Sequence, residues 1–172
     1  MVLAGSFAQI AIQIEISRMN ELLPIAAEAG AILKERNETV AVAESSAGGL
    51  ISAALLAVPG ASAYYLGGGV FYTAASRMQL LSMPREQIIR SSEQSAHFLA
   101  SAAQQQLGST WAIGETGAAG PTGPYGRLFL AIVGPREVTV HSETGIEDRV
   151  TNMRLFAKEA LLLFLTALKD RV

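Results

Sequence analysis

Apolar positions along this chain repeat with two different periods. Between residues 20 and 36 they fall on one helical face, at Leu22, Ala26, Ala29 and Leu33. That spacing predicts a helix capped by Asn20 and running to about Arg36. Pro24 lies in its first turn, where a missing donor costs little. Residues 39–43 read as a buried strand through Val40 and Val42, followed by a helix over 48–57 that Pro59-Gly60 stops. A strand over 69–72 and a short helix over 74–81 come next. Ser91 or Ser92 caps a further helix to Leu107, which Gly108 ends. Residues 111–114 form a strand that opens into a glycine-rich loop, 117–126. Strands over 127–133 and 137–141 meet at a Gly134-Pro135 turn. Thr144 and Glu147 have capping-box spacing. The last helix turns Val150, Met153, Ala157, Leu161, Phe164 and Leu168 inward.

Strands separated by helices imply parallel pairing, and the turn at Gly134-Pro135 implies an antiparallel neighbour. The expected fold class is therefore α/β: a three-layer α/β/α domain on a mostly parallel mixed sheet of five strands, one of them antiparallel. Upstream, Ile10, Ile12, Ile14 and Ile16 alternate with Ala11, Gln13, Glu15 and Ser17. Period two marks a strand with one buried face. Residues 1–19 thus read as an extension holding an extra strand, or as sequence upstream of a start at Met19, and residues 20–172 as one domain.

Composition narrows the classes. At 172 residues, half of them hydrophobic, the chain can bury a substantial core. Mean hydropathy is +0.32, carried by Ala and Leu on the helices. The most apolar run, 160–168, is shorter than the ~20 residues a spanning helix needs, so no membrane partner is expected. The first residues lack the basic stretch of a signal peptide, and a cytoplasmic location is expected. A net charge of −2 offers no footprint for nucleic acid. There is no cysteine, and His97 and His141 lie far apart, so no metal site is expected. His97, among Ser, Gln and Glu on a helix, reads as a surface residue.

Candidate chemistry concentrates in residues 39–81. A strand ends in Glu44-Ser45-Ser46, followed by Ala47-Gly48-Gly49 and an apolar helix. Such a turn can expose a hydroxyl, and free N–H groups at the helix start can bind a developing oxyanion. Serine at a helix start is equally a common cap. Tyr72 can orient that hydroxyl or bond a substrate carboxamide, or it can simply sit at the sheet edge. Arg77 can bind a phosphate, or stand as a solvated helix charge. Glu115 and Glu44 are carboxylates at strand ends: each can act as a base or accept loop N–H bonds. Residues 117–123 let backbone approach a ligand closely, with Thr116 and Thr122 adding hydroxyls. Arg149 can reach a phosphate from the last helix, or pair with Glu147 or Asp148 on the surface.

Four motifs in this order, Ala43-Glu44-Ser45-Ser46-Ala47-Gly48-Gly49, Val58-Pro59-Gly60-Ala61-Ser62-Ala63-Tyr64, Gly68-Gly69-Val70-Phe71-Tyr72 and Thr116-Gly117-Ala118-Ala119-Gly120-Pro121, resemble the CinA C-terminal domain family, the nicotinamide mononucleotide deamidases. The resemblance runs from Leu22 to Leu168. It implies hydrolysis of the carboxamide of nicotinamide mononucleotide to nicotinic acid mononucleotide and ammonia, without a cofactor. By that resemblance Ser45 is the nucleophile, and Tyr72 and Arg77 stand at catalytic positions. Glu44, Ser46, Gly48, Gly49, Thr116, Gly117, Gly120 and Arg149 line the substrate site. The implied partner is a small mononucleotide, and a homo-oligomer is compatible with the pattern. The chain departs from the family where Ser46 replaces a cysteine, Ala47 a threonine and Arg77 a lysine, and where Glu115 replaces an apolar residue. Arginine cannot be deprotonated in a protein, so Arg77 cannot be a base as lysine can. That leaves Glu115 as the first candidate base, and a non-catalytic mononucleotide-binding protein of the same fold as the alternative. A third reading, weaker than both, is a purely structural partner domain.

Overall fold

The computed structural model describes residues 21–88 and 91–170. The alternating segment around Ile10–Ile16 and the expected cap Asn20 lie outside them. The helices are α1 (Leu23–Arg36), α2 (Leu50–Leu56), α3 (Ala74–Leu81), α4 (Glu93–Leu107) and α5 (Arg149–Lys169). The strands are β1 (Val40–Glu44), β2 (Tyr65–Val70), β3 (Trp111–Ala118), β4 (Arg127–Val133) and β5 (Val138–Glu143). They form one sheet in the order β2-β1-β3-β4-β5. β1 pairs parallel with both β2 and β3, while β4 runs antiparallel to β3 and to β5. Four strands thus share one direction and β4 opposes them, as expected.

The two faces of the sheet are unequal. Val40, Val42, Trp111, Ile113, Leu128, Leu130 and Ile132 point into a large-residue core with α1, α2 and α5, where Leu33, Ile51, Phe156 and Phe164 are buried. The alternate positions Ala41, Ala43, Ala112 and Ala131 meet Ala96, Leu99, Ala100 and Ala103 of α4. Small residues on both sides let α4 lie close to the sheet. Gly114 is the closest point: a Cβ there would run into the Ala96 carbonyl and come within 2.7 Å of the Ala100 nitrogen. Backbone cannot yield as a side-chain tip can. Gly114→Ala is therefore expected to cost at least about 3 kcal/mol, read as a lowered urea midpoint. A midpoint unchanged from the parent would show that α4 is free to slide outward.

Several boundaries differ from those the sequence suggests. The helix expected from residue 48 begins at Leu50, because Gly48 and Gly49 have φ of 69° and 98°, outside the right-handed helical range. β2 begins at Tyr65, four residues before the expected strand, and so runs through its glycines. A Cβ on Gly68 would approach the Val42 carbonyl to 2.7 Å and Ser52 Oγ to 2.9 Å, so close packing overrides the low strand propensity of glycine. β3 extends past the expected end at Gly114 to Ala118, which places Glu115 and Thr116 on a strand paired with β4 and takes Gly117 and Ala118 out of the expected loop. α5 starts at Arg149 with Asp148 as its cap, Asp148 Oδ1 accepting from Thr151 N at 2.8 Å. Thr144 instead donates to Asn152 Oδ1 at 2.6 Å.

Candidate functional site

β1 ends at Glu44, and the next five residues form the turn into α2. Two buried carboxylates hold that turn. Glu44 accepts from Gly49 N at 2.9 Å, Ile51 N at 3.2 Å, Ser52 N at 3.0 Å and Ser52 Oγ at 2.6 Å. It therefore supplies the acceptor that the first turn of α2 needs. Glu115 accepts from Ser45 N at 2.8 Å and Ala47 N at 2.9 Å through Oε2, and from the Ser46 hydroxyl through Oε1. Gly48 N donates to Ser45 O at 3.2 Å. The amides of residues 47–49, which the turn could have offered to an oxyanion, are thus taken by the chain itself.

The hydroxyl of Ser45 belongs to a second network. Arg77 Nη2 donates to Ser45 Oγ at 3.1 Å and to Thr116 Oγ1 at 3.0 Å, while Arg77 Nε donates to Phe71 O at 3.0 Å. Ser91 Oγ lies 3.0 Å from Thr116 Oγ1 and donates to Gly117 O at 3.2 Å. Thr73 caps α3 with a capping box to Ser76, and that fixes where Arg77 projects. Ser45 is 5 % exposed, Arg77 6 % and Thr116 fully buried. Arg77 is thus a buried cation, and among the described residues no carboxylate forms an ion pair with it. Burial pulls its guanidinium below the ordinary arginine value, against the opposing charge of Glu115, yet arginine stays protonated throughout the working range.

The pleat separates these two networks. Along β3, Trp111, Ile113 and Glu115 point toward α2 and α5, while Ala112, Gly114 and Thr116 point toward α4. Glu115 is therefore on the opposite face from the Ser45 hydroxyl, and its oxygens serve the turn instead of Oγ. Glu115 likewise makes no contact with Arg77, whose bonds go to Phe71 O, Ser45 Oγ and Thr116 Oγ1. Burial pushes the Glu115 carboxyl above the usual glutamate range, and the nearby charge of Glu44 adds to this. The bonds from Ser46, Ala47 and Ser45 pull the other way.

Tyr72 and Arg149 form a third, more open part of the site. Arg149 Nη1 donates to Gly120 O at 2.7 Å, and Nη2 donates to the Tyr72 hydroxyl at 3.1 Å. The phenol is thus engaged by Arg149, and Tyr72 is 58 % exposed. Gly120 has φ 106°, and a Cβ there would come within 2.6 Å of Glu147 O, so this crossing of loop and α5 requires glycine. Two residues escaped the sequence reading. Ser91 was visible only as an alternative cap, and Ser92 takes that role, its Oγ accepting from Ser95 N at 3.2 Å. Asn152, fully buried, donates to Ala119 O and Ile146 O at 2.7 Å each, tying the glycine loop to α5. A lone asparagine in an amphipathic helix carries no such signal.

A cavity of ≈ 490 Å³ opens beside the Ser45 network, walled by Ser91, Ala118, Gly123, Pro124, Arg127 and Phe129. A larger one, ≈ 630 Å³, lies between the end of α3 and α4, with Leu81, Met83 and His97 in its wall, and none of Ser45, Tyr72, Arg77, Glu115 or Thr116 lines it. Among the described residues, no three His, Asp or Glu side chains converge as metal ligands. No helix among them is long and apolar enough to cross a membrane.

An open mixed sheet between helix layers, with a serine turn and a glycine-lined loop at the carboxyl ends of adjacent strands, defines a domain of the α/β/α class. The chain belongs to the CinA C-terminal domain family, whose model matches residues 22–168. It is 40 % identical over 147 residues to a CinA-like protein of Anaeromyxobacter sp. (strain K), covering 80 % of this chain and 36 % of that one. With a CinA-like protein of Parasynechococcus marenigrum it shares 42 % over 113 residues, 61 % of this chain and 27 % of the relative. The chain thus spans about a third of the length of these curated relatives. Its fold is similar to that of the competence damage-inducible protein A of Klebsiella pneumoniae, with TM-score 0.82 and 25 % identity over 88 % of this chain and 99 % of the other. It is similar as well to the competence/damage inducible protein CihA of Agrobacterium tumefaciens, with TM-score 0.78 and 28 % identity over 87 % and 96 %.

Proposed function

We propose that this domain hydrolyses the carboxamide of nicotinamide mononucleotide, slowly, through Ser45. The substrate comes from the motif resemblance. The observation that supports a reactive site is the Arg77 guanidinium, buried without a bonded carboxylate and aimed at Ser45 Oγ. In the first step Ser45 Oγ bonds to the carboxamide carbon, the C–N bond breaks, and ammonia leaves with the hydroxyl proton. Water then attacks the acyl-serine, releasing the acid and restoring the hydroxyl. With the amides of residues 47–49 engaged, Arg77 is the donor left to stabilise negative charge at the reacting oxygens. Tyr72 and Arg149 offer an exposed ring and a guanidinium to the remainder of the nucleotide. Low speed follows from chemistry: a positioned base contributes about 10²–10⁴-fold, and Arg77 cannot be one.

That same property favours a second reading, a mononucleotide-binding domain without turnover. Ammonia release from nicotinamide mononucleotide, with Ser45→Ala as the control, separates the two. The expected result is slow release by the parent and none above background from the variant. Calorimetric binding without Ser45-dependent ammonia would favour the binding reading. Neither heat nor ammonia would overturn both.

A further inference from the structure

We infer that Glu115 is a positioning residue: its buried carboxylate clamps the Ser45–Ala47 turn from the far side of the sheet and so sets where the Ser45 hydroxyl stands. The inference rests on the proposed role of Ser45. Three contacts carry it. Oε2 bridges the amides of Ser45 and Ala47, on either side of Ser46, and Oε1 takes the Ser46 hydroxyl. These fix both ends of a three-residue turn from a rigid central strand. Glycine at 117 leaves room for this arrangement, since a Cβ there would stand 2.8 Å from Ser46 Oγ. The turn is therefore held to β3 by the Glu115 side chain, over a position that only a residue without a Cβ leaves clear. On the other side of the sheet, Ser45 Oγ meets Arg77 at 3.1 Å. A shift of the turn breaks that alignment, and misplacement by about 1 Å can cost 10²-fold in rate.

The chemistry of the amide side chain makes the role testable. Glutamine at 115 can accept both backbone N–H groups through its carbonyl oxygen and donate its NH₂ to Ser46 Oγ. It keeps the clamp and abolishes any base. Alanine removes both. For nicotinamide mononucleotide, Glu115→Ala is expected to lower kcat at least about tenfold with KM within roughly twofold, as for a lost transition-state alignment. Glu115→Gln should restore kcat to within about threefold. Amide hydrogen exchange, which needs no activity, should be about tenfold faster at Ser45 and Ala47 in Glu115→Ala than in the parent or Glu115→Gln. β1 amides serve as the internal control for folding. Glu115→Gln as slow as Glu115→Ala, with the turn still protected, would make Glu115 a base and overturn the inference. So would unchanged exchange at Ser45 and Ala47 in Glu115→Ala. If the parent releases no ammonia, the proposed function fails, and the exchange comparison still decides the clamp.

Discussion

Arg77→Lys is expected to raise Ser45-dependent ammonia release by at least about tenfold. The guanidinium holds Ser45 Oγ and Thr116 Oγ1 from one nitrogen and Phe71 O from another. Lysine can keep a bond to Ser45 Oγ but loses part of that fork. The lost charge-assisted bonds should lower stability by about 1.5–3 kcal/mol. In exchange, the site gains a group that can shed its proton. Burial disfavours the charged ammonium and lowers its pKa, so a fraction becomes neutral and able to take the hydroxyl proton. The rate of the variant should therefore rise with pH as lysine deprotonates, where the parent has no such limb from residue 77. Steady-state ammonia release across pH, with binding followed separately, is the measurement. If the parent releases no Ser45-dependent ammonia, and Arg77→Lys binds nicotinamide mononucleotide but stays as silent as Ser45→Ala, the site is a binding site and the amidase reading falls.

Glu115→Gln should become progressively more stable than the parent as pH rises from about 4.5 toward neutrality. An ordinary glutamate titrates near 4.5, and burial raises the Glu115 carboxyl above that in the folded chain. Below 4.5 both states are protonated and the group makes no pH-dependent difference. Above it the unfolded chain ionises first, while the folded chain still holds its proton. Stability of the parent thus falls with pH until the folded value is passed, at no more than about 1.4 kcal/mol per pH unit. Glutamine does not titrate, so the difference between the two proteins isolates this group. The charges acting on the carboxyl are Glu44 on β1, which opposes its ionisation, and Arg77 on α3, which favours it without touching it. Urea midpoints of both proteins at several pH values between 4.5 and 7.5 give the answer. A parent that gains on the variant with rising pH would mean that the hydrogen bonds to the carboxylate outweigh its burial.

Much of the architecture could be read locally. α3 spans Ala74–Leu81 as expected, and α4 over Glu93–Leu107 falls where its serine cap and Gly108 put it, since capping depends on neighbours within four residues. The β4–β5 pairing follows from the Gly134-Pro135 turn, and the five-stranded α/β/α arrangement from the order of the elements. The motifs that carry the family resemblance are sequence properties too, and the match over 22–168 bears it out. What escaped was long-range. The strand character of Tyr65–Gly68 depends on Ser52 and the Val42 backbone packing against glycine. The extension of β3 through Thr116 and Gly117 needs β4 beside it.

The sequence by itself determined which groups are present: a serine turn, a permanent cation in place of lysine, and a carboxylate in place of an apolar side chain. That Glu115 and Thr116 leave β3 on opposite faces follows only from the pairing with β4, which carries the strand past Gly114. Only the tertiary structure decided what lies on each face. α3 brings Arg77 to Ser45 and Thr116 on one side, and the Ser45–Ala47 turn folds its amides and the Ser46 hydroxyl onto Glu115 on the other. A buried polar group must find partners, and residues some seventy positions apart become partners only once parallel pairing has placed β1 beside β3.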